Sequence, residues 1–272
     1  MQQTSISTQE VGYYQKKYVQ YLLLEGCKNR EMAFLGNNAP ARALNIKCLY
    51  DFERAMNWVN WEKHRQNMYR TVSKIRSIPQ FTFNAKLRSS ETGKWFEEEF
   101  DGLVYEYDLF LDFDKDENSS IEQVLEEVKK IKSYFDDYKI PYYILFSGSK
   151  GFQVIIDGRY MPKFKIEEGV VQPHKKIAEK IKENFRLKYI DLRNNGIPNR
   201  LCKIPYSLVK RNVALPLSDK QIEKFNVKSM DLEMVMYEVV PMIRRGNLER
   251  FEELSGKQKI KNIQEFIKLN LK

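Results

Sequence analysis

Asp112 and Asp114 stand two residues apart in the run Leu109-Phe110-Leu111-Asp112-Phe113-Asp114. Side chains of an extended strand alternate faces, so both carboxylates leave the same face. Two carboxylates held that close repel each other and raise their pKa values unless a cation neutralises them. Hard oxygen donors at this spacing suit Mg²⁺ or Mn²⁺, which keep several waters and bridge to substrate phosphates. The bland alternative is a pair of solvated acids at a strand end, beside Asp116 and Glu117.

A second group is Ser147-Gly148-Ser149-Lys150-Gly151. Its glycines let the backbone approach a ligand closely, its turn N–H groups can form an anion nest, and Lys150 adds a point charge. The spacing is not that of a Walker A loop, and a strand follows where that motif has a helix. An ordinary hairpin turn is the other reading. Gln153 comes next, alternating with Phe152 and Val154. A third carboxylate, Asp191, precedes a stretch dense in cations: Arg193, Arg200, Lys203, Lys210 and Arg211. Such a stretch suits a triphosphate or a nucleic-acid backbone, or is a solvated basic loop.

These groups need elements to position them. Residues 103–114 alternate with period two, with Leu103, Tyr105, Tyr107, Leu109, Leu111 and Phe113 on one side, which predicts a strand. A helix follows, with Ser119 and Glu122 as a capping box and Ile121, Val124, Val128, Ile131, Phe135 and Tyr138 at helical steps. Strands are expected over Tyr142 to Phe146 and Phe152 to Asp157, a helix over 173–186, and a short strand over Tyr189 to Leu192. That order is ferredoxin-like, as in RNA-recognition motifs. In it the first and third strands are central neighbours, and the last is an edge from which Asp191 reaches the Asp112/Asp114 pair. Upstream, helices are expected over 11–25 and 49–63, an extended run over Met68 to Ile75 and a polar loop over Lys86 to Gly93. The aromatic stripe of the 49–63 helix reads as core packing. After Pro216 the chain turns helical again.

The fold class expected is α/β of the α+β kind: a ferredoxin-like module over 101–240, a mixed α/β module over 1–100, and a charged helical segment over 241–272. No low-complexity linker separates them, so one compact domain is expected. The length of 272 residues leaves ample room for a core. With 42% hydrophobic residues and 31% charged ones, a disordered polymer is excluded. No apolar run approaches the roughly 20 residues of a membrane helix, no secretory signal is visible, and Cys27, Cys48 and Cys202 form no disulfide framework. A soluble, cytoplasmic protein is expected.

Together the motifs resemble those of the small catalytic subunit of the archaeo-eukaryotic DNA primases. Leu109 to Asp114 is similar to the family's apolar-D-x-D motif. Phe146 to Val154 is similar to its S-G-x-x-G-x-H motif, and Asp191 with Arg200-Leu201-Cys202-Lys203-Ile204-Pro205-Tyr206-Ser207-Leu208 to its third motif. Arg30 to Phe34 and Met68 to Val72 also sit where the family has similar segments, so the resemblance runs over roughly residues 10 to 235.

The resemblance implies the archaeo-eukaryotic primase fold and a metal triad of Asp112, Asp114 and Asp191 holding two Mg²⁺ or Mn²⁺ ions. Ser147, Gly148, Ser149, Lys150, Gly151 and Gln153 would bind the nucleotide, with Arg200, Lys203 and Ser207. The activity implied is primer synthesis on a single-stranded DNA template from NTP or dNTP, by two-metal phosphoryl transfer. Two alternatives are a catalytically weakened nucleic-acid-binding subunit and a gap-filling or repair polymerase that only extends primers. A primase large subunit or a replicative helicase is an implied partner; the charged helix expected over about 248–271 would dock it or cap its own domain. Gln153 departs from the family histidine and cannot carry positive charge. Val209 falls where many relatives have a second histidine. No zinc is expected, because Cys27, Cys48, Cys202, His64 and His174 lack metal-ligand spacing.

The net charge of +9 is unevenly spread. Residues 101–140 carry 5 basic and 12 acidic groups, whereas 141–240 carry 18 and 11. An acidic cradle within a basic chain is what nucleotidyl transfer requires: carboxylates for cations, cations for phosphates.

Overall fold

The computed structural model describes residues 8–36, 41–44, 46–58, 66–77, 99–193 and 195–236. The polar loop expected over Lys86 to Gly93, the end of the 49–63 helix and the charged C-terminal helix lie outside them. The chain forms two units: residues up to Glu106 with Pro198–Leu208, and Tyr107–Ile197 with the chain from Val209 on. In chain order the strands are β1 (Met32–Gly36), β2 (Ala41–Leu44), β3 (Gln66–Thr71), β4 (Ser73–Ile75), β5 (Val104–Tyr107), β6 (Leu109–Asp114), β7 (Tyr143–Phe146) and β8 (Gly151–Ile156). They continue with β9 (Ile166–Glu167), β10 (Val170–Val171), β11 (Ile190–Asp191), β12 (Leu201–Lys203), β13 (Leu208–Val209), β14 (Asn212–Val213) and β15 (Leu215–Leu217).

The first unit is built on the antiparallel sheet β12-β3-β1-β2. Arg30 to Phe34 and Met68 to Val72 meet there, with Met32 opposite Arg70 and Phe34 opposite Met68. The single helix expected over 11–25 is two, Thr8–Tyr14 and Lys17–Gly26. Lys16 is extended between them, and the buried Gln20 amide donates to the Tyr14 carbonyl at 2.9 Å, satisfying an acceptor that the break leaves open. Arg30 and Arg70 are buried charges, and their guanidinium groups donate to main-chain carbonyls: Arg30 to Thr71 and Val72, Arg70 to Gly26.

The second unit holds the five-stranded sheet β11-β6-β8-β7-β15. Its first four strands have the expected ferredoxin-like order, with β6 and β8 central and antiparallel. β15 adds a strand beyond β7. The helices Ile121–Asp137 and Gln172–Phe185 pack against this sheet. Their apolar stripes (Val124, Val128, Ile131 and Phe135; Ile177, Ala178 and Ile181) are fully buried.

Two further local expectations are corrected. The run 103–114 is not one strand: Leu103 ends the short helix Phe100–Leu103, β5 pairs with β4, and the ladder breaks at Asp108. Asp108 is buried at the break, where its carboxylate accepts from the Gly158 N–H at 2.9 Å. The capping box is Ser120 with Gln123, one residue later than Ser119 with Glu122. The Ser119 hydroxyl is already engaged by a turn, accepting from the Asp116 N–H at 2.8 Å. Elsewhere boundaries move by one or two residues, and among the described residues the helical return after Pro216 is made of short pieces, Asp219–Glu223, Val227–Met230 and Leu232–Met234. No helix among the described residues is long and apolar enough to cross a membrane.

Candidate active site

The register of β6 builds the candidate site. Asp112 lies opposite Gln153 of β8 on one side and opposite Asp191 of β11 on the other. Directly opposed residues of an antiparallel ladder project to the same face, and Asp114 joins them two positions along. The other face of β6 carries Leu109, Leu111 and Phe113, each 0% exposed. That apolar face anchors the strand, which leaves Asp112 and Asp191 half-buried and Asp114 exposed.

Asp191 owes its place to a residue that sequence reasoning missed. Glu127, on the helix Ile121–Asp137, is buried and accepts from the N–H groups of Lys188 at 2.7 Å and Tyr189 at 2.9 Å. The Asp114 N–H donates to the Tyr189 carbonyl at 3.0 Å. These bonds fix the start of β11 against the end of β6. The signal was present in the sequence: Glu127 falls among Val124, Val128 and Ile131 on an apolar stripe, and a carboxylate there needs partners.

Gln153, 5% exposed, donates from Nε2 to Asp112 Oδ1 at 3.3 Å. Its Oε1 is buried without a hydrogen-bond partner. Gln153 therefore orients Asp112 here. Asp191 is gripped by Arg193, whose Nε reaches Oδ1 at 3.0 Å and Nη2 reaches Oδ2 at 2.9 Å. Arg193, named in the sequence only as one cation of many, is in direct contact with Asp191.

The Ser147–Gly151 turn closes on itself. The Ser147 N–H donates to the Gly151 carbonyl at 2.9 Å, and the Gly151 N–H donates to Ser147 Oγ at 3.2 Å. Asn212 donates to the Gly148 carbonyl at 3.0 Å, while Ser149 and Lys150 stand exposed at the tip. Gly148 has φ of +85°, and a Cβ there would lie 2.8 Å from the Cβ of Val209. At Gly151 a Cβ would lie 1.7 Å from the Phe113 carbonyl oxygen. The close approach expected of this glycine is thus to the neighbouring strand, opposite Asp114.

Asp112, Asp114, Asp191, Gln153 and the whole Ser147–Gly151 turn belong to the second unit. Arg200, Lys203 and Ser207 belong to the first. There the Arg200 carbonyl accepts from Val72 at 2.8 Å, and Lys203 Nζ sits 3.8 Å over the Tyr69 ring while donating to its hydroxyl at 2.6 Å. Ser207 is fully buried and donates to the Ile204 carbonyl at 2.7 Å.

Among the described residues no three His, Cys, Asp or Glu side chains are drawn together as ligands of one metal ion. In kind, however, the donors fit a hard divalent cation: three carboxylates on one sheet face, two of them opposed across a ladder.

Neither a protein-family model nor a curated protein matches the chain. Among solved structures, the polymerase domain from Mycobacterium tuberculosis Ligase D, determined in complex with DNA, is similar. The two share a TM-score of 0.57 and 14% identity, over 89% of this chain and 90% of that one. The likeness is one of fold, a mixed α/β architecture of antiparallel sheets and helices.

Proposed function

We propose that this chain is a metal-dependent nucleotidyltransferase of the archaeo-eukaryotic primase kind, which makes primers on single-stranded DNA from NTP or dNTP. The observation that carries this reading is the β6 register, which sets Asp112, Asp114 and Asp191 on one face within a primase-type fold. The reaction class is attack of a 3′-hydroxyl oxygen on the α-phosphorus, with pyrophosphate leaving. Two Mg²⁺ or Mn²⁺ ions held by the three aspartates would supply charge neutralisation and Lewis acidity.

The chain's own residues do the positioning. Asp112 is oriented by the Gln153 amide, and Asp191 by the main-chain bonds that Glu127 makes to Lys188 and Tyr189. The exposed Lys150 at the tip of the Ser147–Gly151 turn offers a point charge to phosphate. Single strands would be held by charge and base stacking rather than by base readout.

The test is primer synthesis on a single-stranded template, run separately with ribo- and deoxynucleotides in Mn²⁺ or Mg²⁺. The expected result is primer-free product that disappears in Asp112→Ala with Asp114→Ala; equal product from that double variant overturns the assignment. The similarity in fold to a polymerase domain favours one second reading, a gap-filling polymerase that extends primers but does not start them. Product that appears only when a primer is supplied selects that reading.

A further inference from the structure

The third carboxylate of the site is already paired. Arg193 meets Asp191 through a two-pronged fork, Nε to Oδ1 at 3.0 Å and Nη2 to Oδ2 at 2.9 Å, and its own N–H adds a bond to Oδ1 at 2.9 Å. Both oxygens of Asp191 are thus engaged by a cation of the same chain. The Asp114 charge also attracts Arg193, so the guanidinium is felt by two of the three aspartates. The pair is lopsided in exposure: the Arg193 side chain is 86% exposed and that of Asp191 20%.

That asymmetry defines what the pair can do. Asp191 is held in place by the ladder to Asp112 and by the Glu127 bonds at Lys188 and Tyr189. Arg193 lies just past the end of β11, and its side chain is bathed in water. An exposed ion pair is weak, so a divalent cation or a phosphate can part it. A planar guanidinium fork suits phosphate oxygens as well as it suits a carboxylate.

We propose that Arg193 is a displaceable internal counter-ion of Asp191, which competes with the metal while the nucleotide is absent and turns to the nucleotide's triphosphate when it arrives. The inference rests on the reading of Asp112, Asp114 and Asp191 as metal ligands, and it makes metal binding and nucleotide binding cooperative. Arg193 is a positioning residue for the metal and a contact residue for the phosphates.

The experiment is Mn²⁺ titration by calorimetry and by electron paramagnetic resonance on the full chain, without nucleotide and then with dATP. The variants are Arg193→Ala, Arg193→Lys and the double variant Asp112→Ala with Asp114→Ala. Without nucleotide, Arg193→Ala is expected to bind Mn²⁺ about 2- to 5-fold more tightly, which is what an exposed ion pair is worth. Arg193→Lys, with the charge but not the fork, should fall between. With dATP present the gain should vanish or reverse, and dATP itself should bind more weakly to Arg193→Ala. Equal or weaker Mn²⁺ binding by Arg193→Ala without nucleotide, with binding lost in the double variant, overturns this role and leaves the metal site standing. Absence of Mn²⁺ binding in every protein overturns the metal site and this role together.

Discussion

In the first unit Arg30 and Arg70, 4% and 6% exposed, direct their guanidinium groups at the carbonyls of Thr71, Val72 and Gly26. In the second unit Asp112, Asp114 and Asp191 stand on a sheet face that water reaches, close to one exposed arginine. The first arrangement satisfies buried main-chain acceptors and fixes how the segment around residue 71 runs. The second holds like charges near one another, which does nothing for stability and suits cation binding. Charge inside the packing maintains the fold, and charge at the strand ends is available for chemistry.

The largest expected effect tests whether the strand pair beneath the carboxylates is rigid. In Gly151→Ala the new methyl group would occupy the place of the Phe113 carbonyl, 1.7 Å away, so β6 and β8 cannot keep their register. A loss of more than about 4 kcal/mol is expected, read as a collapse of the denaturant midpoint or as insoluble protein. A variant that keeps wild-type stability would show that the two strands can separate without cost.

The next prediction attacks the contrast directly. Arg30→Ala strips two carbonyls of their donor and should cost about 3 kcal/mol in chemical denaturation. Asp114→Asn should change stability by less than about 0.5 kcal/mol, because the residue is exposed, while abolishing Mn²⁺ binding and primer synthesis. The contrast breaks if the two variants exchange behaviours.

A smaller, pH-dependent effect sharpens it. His174 is a buried titratable group of the second unit, 0% exposed. It packs edge-on against Tyr107 and Phe164. Burial pushes its pKa down to about 4. The unfolded chain takes up a proton near pH 6.5 and the folded one only near pH 4, so stability is full above pH 6.5 and falls as pH drops through that window. The expected loss is up to about 3 kcal/mol. Denaturant midpoints at pH 7, 5.5 and 4 should show it in the native chain, and His174→Gln should flatten the slope. An equal slope in that variant would assign the acid sensitivity to other groups.

The ferredoxin-like order was legible from periodicity, because β6 and the two long helices each bury one face, and a buried face imposes its repeat on the residues. The shared face of Asp112 and Asp114 and the central place of β6 followed from the same pattern. The break at Asp108 was not legible. Alternation continues through it, and the Gly158 N–H, 50 residues away in sequence, donates to the buried carboxylate there. The helix break at Lys16 likewise depends on Gln20 reaching back to Tyr14. The shift of the cap from Ser119 to Ser120 depends on which hydroxyl the Asp116 turn had already engaged.

The sequence by itself determined the chemistry available: which strand carries carboxylates, how far apart they lie, and that their faces agree, since strand alternation is a local property of the chain. Only the tertiary structure decided how those groups are used. It set Asp191 opposite Asp112 through Glu127, turned the Gln153 amide onto Asp112 and brought Gly151 against the Phe113 carbonyl. The Gln153 and Glu127 bonds, and the Gly151 contact, join residues dozens of positions apart in the chain. Such pairings arise from packing and backbone hydrogen bonding between elements, which no local periodicity encodes.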